Sequence, residues 1–430
     1  MAKDTNLKLR NSTIYSVFAR NHTSDGNFEG VTKDLDRIAD LGVDIIWLLP
    51  IHPIGQVNRK GSLGCPYSIE DYKKVNPEYG TLEEFGELIK ETHKRGMKVI
   101  IDVVYNHTSH KSELFKNHPE YFYRKEDGAI GGKVGDWTDI IDLDYENSNL
   151  WDYQIDALKY WISLGVDGFR CDVAPLIPIE FWIKARKEIL SIKEDIIWLA
   201  ESIDPYFMKE LRKKNIIAHS DSEVFQAFDI TYDYDTYKFF AQYLNGEIEL
   251  DYLLELKRNQ EYIYPSNYVK LRFLENHDTS RITSYLKEDT DLKNWTAFMF
   301  FEKGTALIYA GQEAKDDNIP NLFDRDLVNW DKDKDKKFVE FIKKLIQIKK
   351  KDIFAYGYYE IISHKKMGVI EARYEYMKEE LIGIFNVERK SGKYCLDISD
   401  GNYKNLIDDS NIEVLDGKIE LGLKPLIFKL

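Results

Sequence analysis

The chain is poor in cysteine: Cys65, Cys171 and Cys395 are the only three in 430 residues. An odd count at wide spacing, without a metal-ligand pattern, argues against a disulfide framework or a zinc site and fits a reducing compartment. Long apolar runs are missing as well. The opening residues, MAKDTNLKLR, lack the apolar centre of a signal peptide, and no later stretch is apolar for the span of a bilayer. The expectation is a cytoplasmic protein with no membrane partner. Basic charge is scarce too: 60 Lys and Arg stand against 74 Asp and Glu, a net charge of -14, and no basic stripe is concentrated anywhere. Phosphate backbones want a basic surface, which argues against a nucleic-acid partner. No Gly-x-Gly-x-x-Gly follows the first apolar run. The nearest candidate phosphate loop, Gly55-Gln56-Val57-Asn58-Arg59-Lys60-Gly61-Ser62, has the wrong glycine spacing for a nucleotide.

What is abundant is apolar and aromatic: 43% hydrophobic residues and 28 Tyr. That supplies a packed interior and excludes disorder. Aromatics together with surplus carboxylates suit a neutral polyhydroxylated ligand. The length exceeds what one core usually serves, so more than one domain is expected.

Apolar runs of strand length alternate with helical spacing. Strand-like runs fall at 13–18, 43–50, 97–104, 168–174, 196–200, 225–228, 268–273 and 306–310, with helical stretches at 32–41, 150–164, 179–192 and 204–214. Thr81 and Glu84 are spaced as a capping box for another helix that stops at Gly96. About eight strand–helix units predict a (β/α)8 TIM barrel; a doubly wound open sheet shares the alternation, and the missing glycine fingerprint weighs against it. The segment 106–146 keeps no periodicity and is too long for an ordinary loop, so it reads as a short inserted subdomain after strand 3. A charged helix at 331–351 closes the barrel, which takes in 1–105 and 147–351. Short runs with turn residues over 352–430 predict a C-terminal all-β sandwich domain.

Barrel active sites sit at the C-terminal ends of the strands. Those ends carry Asp102 with Tyr105-Asn106-His107, Arg170 with Asp172, Glu201, and Glu275-Asn276-His277-Asp278. Arg170 and Asp172 are two apart in a strand, so they share a face, and the guanidinium favours the ionised carboxylate. Paired carboxylates are what glycoside cleavage needs: one protonates the leaving oxygen while the other attacks carbon or activates water.

The segments Asp102-Val103-Val104-Tyr105-Asn106-His107, Gly168-Phe169-Arg170-Cys171-Asp172, Glu201 after an apolar strand, and Glu275-Asn276-His277-Asp278 resemble, in order, the four best-known motifs of the α-amylase family of glycoside hydrolases. Pro66-Tyr67 with Asp71-Tyr72, and Asp142-Leu143-Asp144, resemble two weaker signatures. The resemblance implies a retaining enzyme acting on α-1,4-glucosidic bonds in maltodextrins through a glycosyl-aspartate. Asp172 would be the nucleophile, Glu201 the acid and then base, and Asp278 the stabiliser of the transition state. Arg170 would orient Asp172, His107 and His277 would bind sugar hydroxyls, and Tyr67 would stack on the sugar. Asp102 and Asn106 are expected as structural neighbours, with Asp102 the partner of Arg170. An α-glucosidase or oligo-1,6-glucosidase, and a 4-α-glucanotransferase, share the first chemical step. A non-catalytic carbohydrate-binding barrel would be expected to have lost one of the acids.

The chain also departs from the pattern. Many α-amylases follow the nucleophile strand with a Lys-His pair that helps hold calcium, and here Val173-Ala174-Pro175-Leu176 stands instead. The 21–30 loop lacks dense alternate aspartates. Calcium is therefore possible at Asn106 but is not expected to be obligatory, and no metal is assigned. Oligomeric state is left open by the sequence.

Overall fold

Thr81 and Glu84 form the expected capping box. The Thr81 hydroxyl accepts from the Glu84 amide at 3.2 Å, and the Glu84 carboxylate accepts from the Thr81 amide at 2.7 Å. The helix they open, Leu82–Lys94, buries Phe85, Leu88, Ile89 and Thr92 along one stripe. An earlier helix, Phe28–Leu41, begins ahead of its sequence-predicted start because Asn27 accepts from the Gly30 amide, and it ends at Gly42 with φ 91°, a conformation that favours glycine. The computed structural model describes residues 2–135, 137–362 and 367–430.

Strands β1 (Thr13–Val17), β2 (Ile45–Leu48) and β3 (Lys98–Val103) come first. Next, β4 (His107–Ser109) and β5 (Ile140–Asp142) pair with each other as a short antiparallel ladder. Then follow β6 (Gly168–Cys171), β7 (Ile197–Ala200), β8 (Ile230–Tyr232), β9 (Val269–Arg272) and β10 (Thr305–Tyr309). Omitting β4 and β5, they close a barrel in the order β1-β10-β9-β8-β7-β6-β3-β2. The pairings are parallel, as between β3 and β6 and between β6 and β7, and the barrel strands are buried along almost their whole length, as strands covered on both faces should be. Gly168 lets them approach: a Cβ there would lie 2.4 Å from the Ile197 carbonyl oxygen on β7.

The sixth barrel strand is not where the apolar run suggested. Phe225-Gln226-Ala227-Phe228 is a turn after the short helix Asp221–Val224, opened by a capping box between Ser220 and Glu223, and the strand is Ile230–Tyr232. The apolar side chains are buried from a helical turn, so hydrophobicity alone misplaced the ladder. The closing charged helix is shorter than expected, Lys337–Lys349, and a five-residue helix, Asp352–Tyr356, precedes the C-terminal strands.

Those strands are β11 (Tyr358–Ile362), β12 (Ile370–Tyr376), β13 (Glu379–Phe385), β14 (Lys393–Cys395), β15 (Gly401–Lys404), β16 (Asn411–Val414), β17 (Lys418–Glu420) and β18 (Leu426–Lys429). An antiparallel sheet runs β11-β12-β13-β18, and β14 with β17 and β15 with β16 make two-stranded ladders. Val369, Ile382, Ile384, Tyr394, Ile412 and Phe428 form a core among them. By contacts the chain divides into one unit of 1–5, 14–235 and 320–328 and another of 6–13, 236–319 and 329–430.

Within the first unit His52 is buried against the Trp161 ring at 5.3 Å, with Nδ1 3.1 Å from the Lys74 carbonyl oxygen. Burial pulls its pKa from 6.5 to about 4. Below pH 6.5 the unfolded chain takes up a proton that the folded one refuses, so stability falls with pH down to about 4 and levels off. The expected contribution is about 3 kcal/mol, from roughly 1.4 kcal/mol per pKa unit. Denaturant titrations between pH 7 and pH 4 should show a shallower decline for His52→Leu than for the wild type; parallel slopes would refute this.

Candidate active site

The site in the first unit is built on one arginine. Arg170, near the end of β6, is fully buried and is matched in register to Asp102 on β3 and Leu199 on β7. Its Nη1 donates to Asp102 Oδ1 and to Asp172 Oδ1, each at 2.8 Å. Its Nη2 lies 2.9 Å from Glu201 Oε1, an ion pair whose angle falls outside hydrogen-bond geometry. Nε donates to the Tyr232 hydroxyl at 3.2 Å, and the rings of Trp47, Tyr67 and Tyr232 each lie 5.4 Å from Cζ. Burial alone would pull the guanidinium pKa down; Asp102 and Glu201 more than offset it, and the net shift is upward. The Tyr67 hydroxyl donates to Asp102 Oδ2 at 3.1 Å.

Asp172 and Glu201 are nearly closed from water, with side chains 8% and 10% exposed. Each is carried just past its strand by the ladder itself: the Asp172 amide donates to the Val103 carbonyl and the Glu201 amide to the Cys171 carbonyl. The following residue ties the two strand ends together. Val173 donates its amide N–H to Glu201 Oε2 at 2.8 Å, from a backbone at φ 34°, ψ 43°. A β-branched residue in that region is strained by roughly 1–3 kcal/mol.

His107 begins β4, with Nε2 3.9 Å from Asp172 Oδ2. Asn106 Nδ2 lies 3.2 Å from His107 Nδ1, and because an amide nitrogen donates, Nδ1 accepts and Nε2 carries the ring proton. Burial lowers the His107 pKa, against Asp142 and Asp139, which raise it, so the ring is neutral at pH 7. The half-buried Trp137 ring sits 5.6 Å from His107. With Val134, Val173, Ile203, Phe207 and Met208 it packs on Leu176, Leu211 and Ala218, an apolar cluster that reaches the carboxylates through Val173. Cys171 is buried.

In the second unit, past β9, His277 Nε2 lies 2.9 Å from Asp278 Oδ2, and the Asp278 side chain is 42% exposed. Glu275 is committed elsewhere, to Arg281 Nη1 at 2.7 Å and the Ile282 amide at 2.7 Å. Burial raises the Glu275 pKa, while Arg281 opposes that rise. Among the described residues no group of three or more His, Cys, Asp and Glu is arranged to hold a metal ion, and no helix is long and apolar enough to cross a membrane.

Sequence reading brought out Asp102, Asn106, His107, Arg170, Asp172 and Glu201, and these the first unit gathers around one guanidinium or its immediate neighbours. It missed Tyr232, because β8 was placed too early, and Val173, whose contribution is a main-chain N–H that no side-chain letter announces.

A closed parallel barrel with acids at its strand ends and a C-terminal antiparallel sheet is the architecture of a (β/α)8-barrel enzyme with an added β-domain. The family described as "Alpha amylase, catalytic domain" matches residues 13–129 and 134–354, and "Bacterial Alpha amylase C-terminal domain" matches 360–428. The chain belongs to the α-amylase family of glycoside hydrolases. It is 44% identical to an α-amylase of Lactobacillus plantarum whose crystal structure superposes with a TM-score of 0.95, over 99% of this chain and 100% of that one. A maltogenic α-amylase, AmyB of Thermotoga neapolitana, is 33% identical with a TM-score of 0.87, over 98% and 99% of the two chains. Alpha-amylase 2 of Dictyoglomus thermophilum is 27% identical over 422 residues, which take in 92% of this chain and 69% of that one.

Proposed function

We propose that the enzyme hydrolyses α-1,4-glucosidic bonds in maltodextrins with retention, through a covalent glycosyl-aspartate. The observation that carries this is the attachment of Asp172 and Glu201 to the same buried guanidinium, at 2.8 and 2.9 Å. Three carboxylates share that single positive charge, an arrangement that suits one of them to keep a proton. Glu201 gives its proton to the glycosidic oxygen as Asp172 attacks the anomeric carbon, and the bond to the leaving sugar breaks. Glu201, now a carboxylate, takes a proton from water, which displaces Asp172 and returns the starting enzyme. Retention asks for about 5–5.5 Å between the two carboxyl groups. Asp278, beyond β9, is assigned to steadying the oxocarbenium-like transition state. His107 and His277 are assigned to sugar hydroxyls, and Tyr67 to the face of the ring.

The maltodextrin reading is supported by relatives named α-amylase and by the resemblance of the motifs. Incubation with maltotriose through maltoheptaose tests it: products should all be shorter than the starting sugar. Products longer than the starting sugar would overturn hydrolysis in favour of transfer.

Val173 provides a second test. In Val173→Gly the relief of strain, roughly 1–3 kcal/mol, offsets lost packing of similar size, so folding stability should change by no more than about 1 kcal/mol. The more mobile amide should hold Glu201 less well, and kcat should fall about tenfold. Thermal unfolding measured beside turnover checks this; an unchanged kcat would remove Val173 from the account.

A further inference from the structure

Within the second unit lies a buried group of charges that the reaction does not use. Arg10 is 4% exposed, and each bond it makes ends on a main-chain oxygen. Nε donates to the Tyr268 carbonyl at 3.0 Å, Nη2 to those of Ser266 at 2.7 Å and Tyr268 at 2.9 Å, and Nη1 to that of Ala355 at 3.3 Å. A guanidinium has five N–H groups, so one proton on Nη1 is left over. Lys349, 1% exposed, likewise donates to a carbonyl, that of Glu302 at 2.6 Å, and lies 4.9 Å from the centroid of the Phe354 ring. Among the described residues no carboxylate pairs with either side chain; burial pulls the Lys349 pKa well down, which leaves Arg10 as the charge that lacks a counter-ion. The carboxylates nearby are engaged elsewhere: Glu261 with Lys303 at 2.7 Å, and Glu302 with Lys257 at 2.8 Å and Arg272 at 3.6 Å. Buried charges are as a rule paired, because leaving water without a counter-charge is costly.

The hydroxyls of Tyr359 and Tyr374, matched across β11 and β12 with ring centroids 4.8 Å apart, are buried and have no hydrogen-bond partner among the described residues. The fields of Glu261, Arg10, Arg272 and Tyr268 reach Tyr374, and those of Glu302, Arg272 and Tyr268 reach Tyr359. Burial pushes both phenols well above their ordinary pKa, so each keeps a proton to donate. An unmet phenol is destabilising, and a neutral water would relieve that without answering the unpaired charge of Arg10.

We infer that this interior holds a small monovalent inorganic anion of the halide class, bound by the Tyr359 and Tyr374 hydroxyls and acting as counter-ion to Arg10. The anion is structural: it joins the segment Leu7–Asn11 to the C-terminal sheet and stabilises the folded chain by mass action. The inference is independent of the reaction proposed above, and turnover does not test it. Crystals of the full chain prepared in bromide with chloride omitted should show an anomalous difference peak within hydrogen-bond reach of both tyrosine oxygens. At constant ionic strength, replacing gluconate by chloride should raise the unfolding temperature by a few degrees and then saturate. The response should vanish in Tyr359→Phe/Tyr374→Phe. No bromide peak at the two oxygens would overturn the inference whether or not the double variant folds, and so would an undiminished chloride response in that variant.

Discussion

Replacement of Asp172 by Asn is expected to lower kcat by a factor on the order of 10⁴ to 10⁶, the range met when a covalent nucleophile is removed from a set of groups that act as a unit. The reasoning is local. Asn presents a neutral amide at the same place, so the contact with Arg170 weakens while Asp102 and Glu201 keep the guanidinium paired. The fold should therefore survive, and unfolding temperature separates loss of chemistry from loss of structure. A second measurement sharpens the assignment. If Asp172 is the nucleophile, a small anionic nucleophile such as azide can enter the space left by the shorter side chain of Asp172→Ala and restore turnover there. The product would then be a glycosyl azide of inverted configuration. Unchanged sugar turnover in Asp172→Asn would discard the mechanism.

Arg170→Met is expected to destabilise the chain by at least about 3–5 kcal/mol, the usual cost of removing one partner from a buried ion pair, because here three carboxylates lose the same cation. Methionine approximates the length and the apolar stem, so packing against Trp47, Tyr67 and Tyr232 is largely kept and the loss reports charge. Arg170→Lys should recover only part of it. An ammonium is a point charge and cannot serve Asp102, Asp172, Glu201 and the Tyr232 hydroxyl from one planar fork. Denaturant midpoints provide the check, read at pH 7 and again at pH 4. Protonation relieves unpaired carboxylates, so the deficit of Arg170→Met relative to wild type should shrink at the lower pH. A deficit that does not depend on pH would mean lost packing, not lost charge.

The barrel and most of the first unit's site were legible because they rest on short-range patterns. Parallel strands buried on both faces read as unbroken apolar runs, and the residue after such a run is at the mouth whatever the rest of the chain does. Asp102, Arg170, Asp172 and Glu201 were found that way. The pairing of Arg170 with Asp102 could also be anticipated, whereas its contact with Glu201 could not: the predicted barrel sets β6 beside β7, but no letter says which way the Glu201 carboxylate turns. Tyr232 was lost for a different reason. The apolar run at Phe225 to Phe228 competes with the true strand, and only the Ser220 and Glu223 cap, read as a helix start, would have moved the ladder to Ile230. Val173 was beyond reach, since its letter says nothing of a left-handed backbone or of where the amide points.

The position of His107 has a consequence for anyone wishing to widen the cleft. It sits opposite Asp142 in the β4–β5 ladder and also beside Asp172, so the excursion from the barrel and the reaction centre share a side chain. That ladder is three residue pairs long, too short to stand by itself. Trimming the excursion to admit bulkier polysaccharides would therefore let His107 drift and leave Asp172 open to solvent. Broader substrate range should instead be sought at Phe207 and Met208, which share an apolar cluster with Val173 and Trp137 without belonging to the ladder.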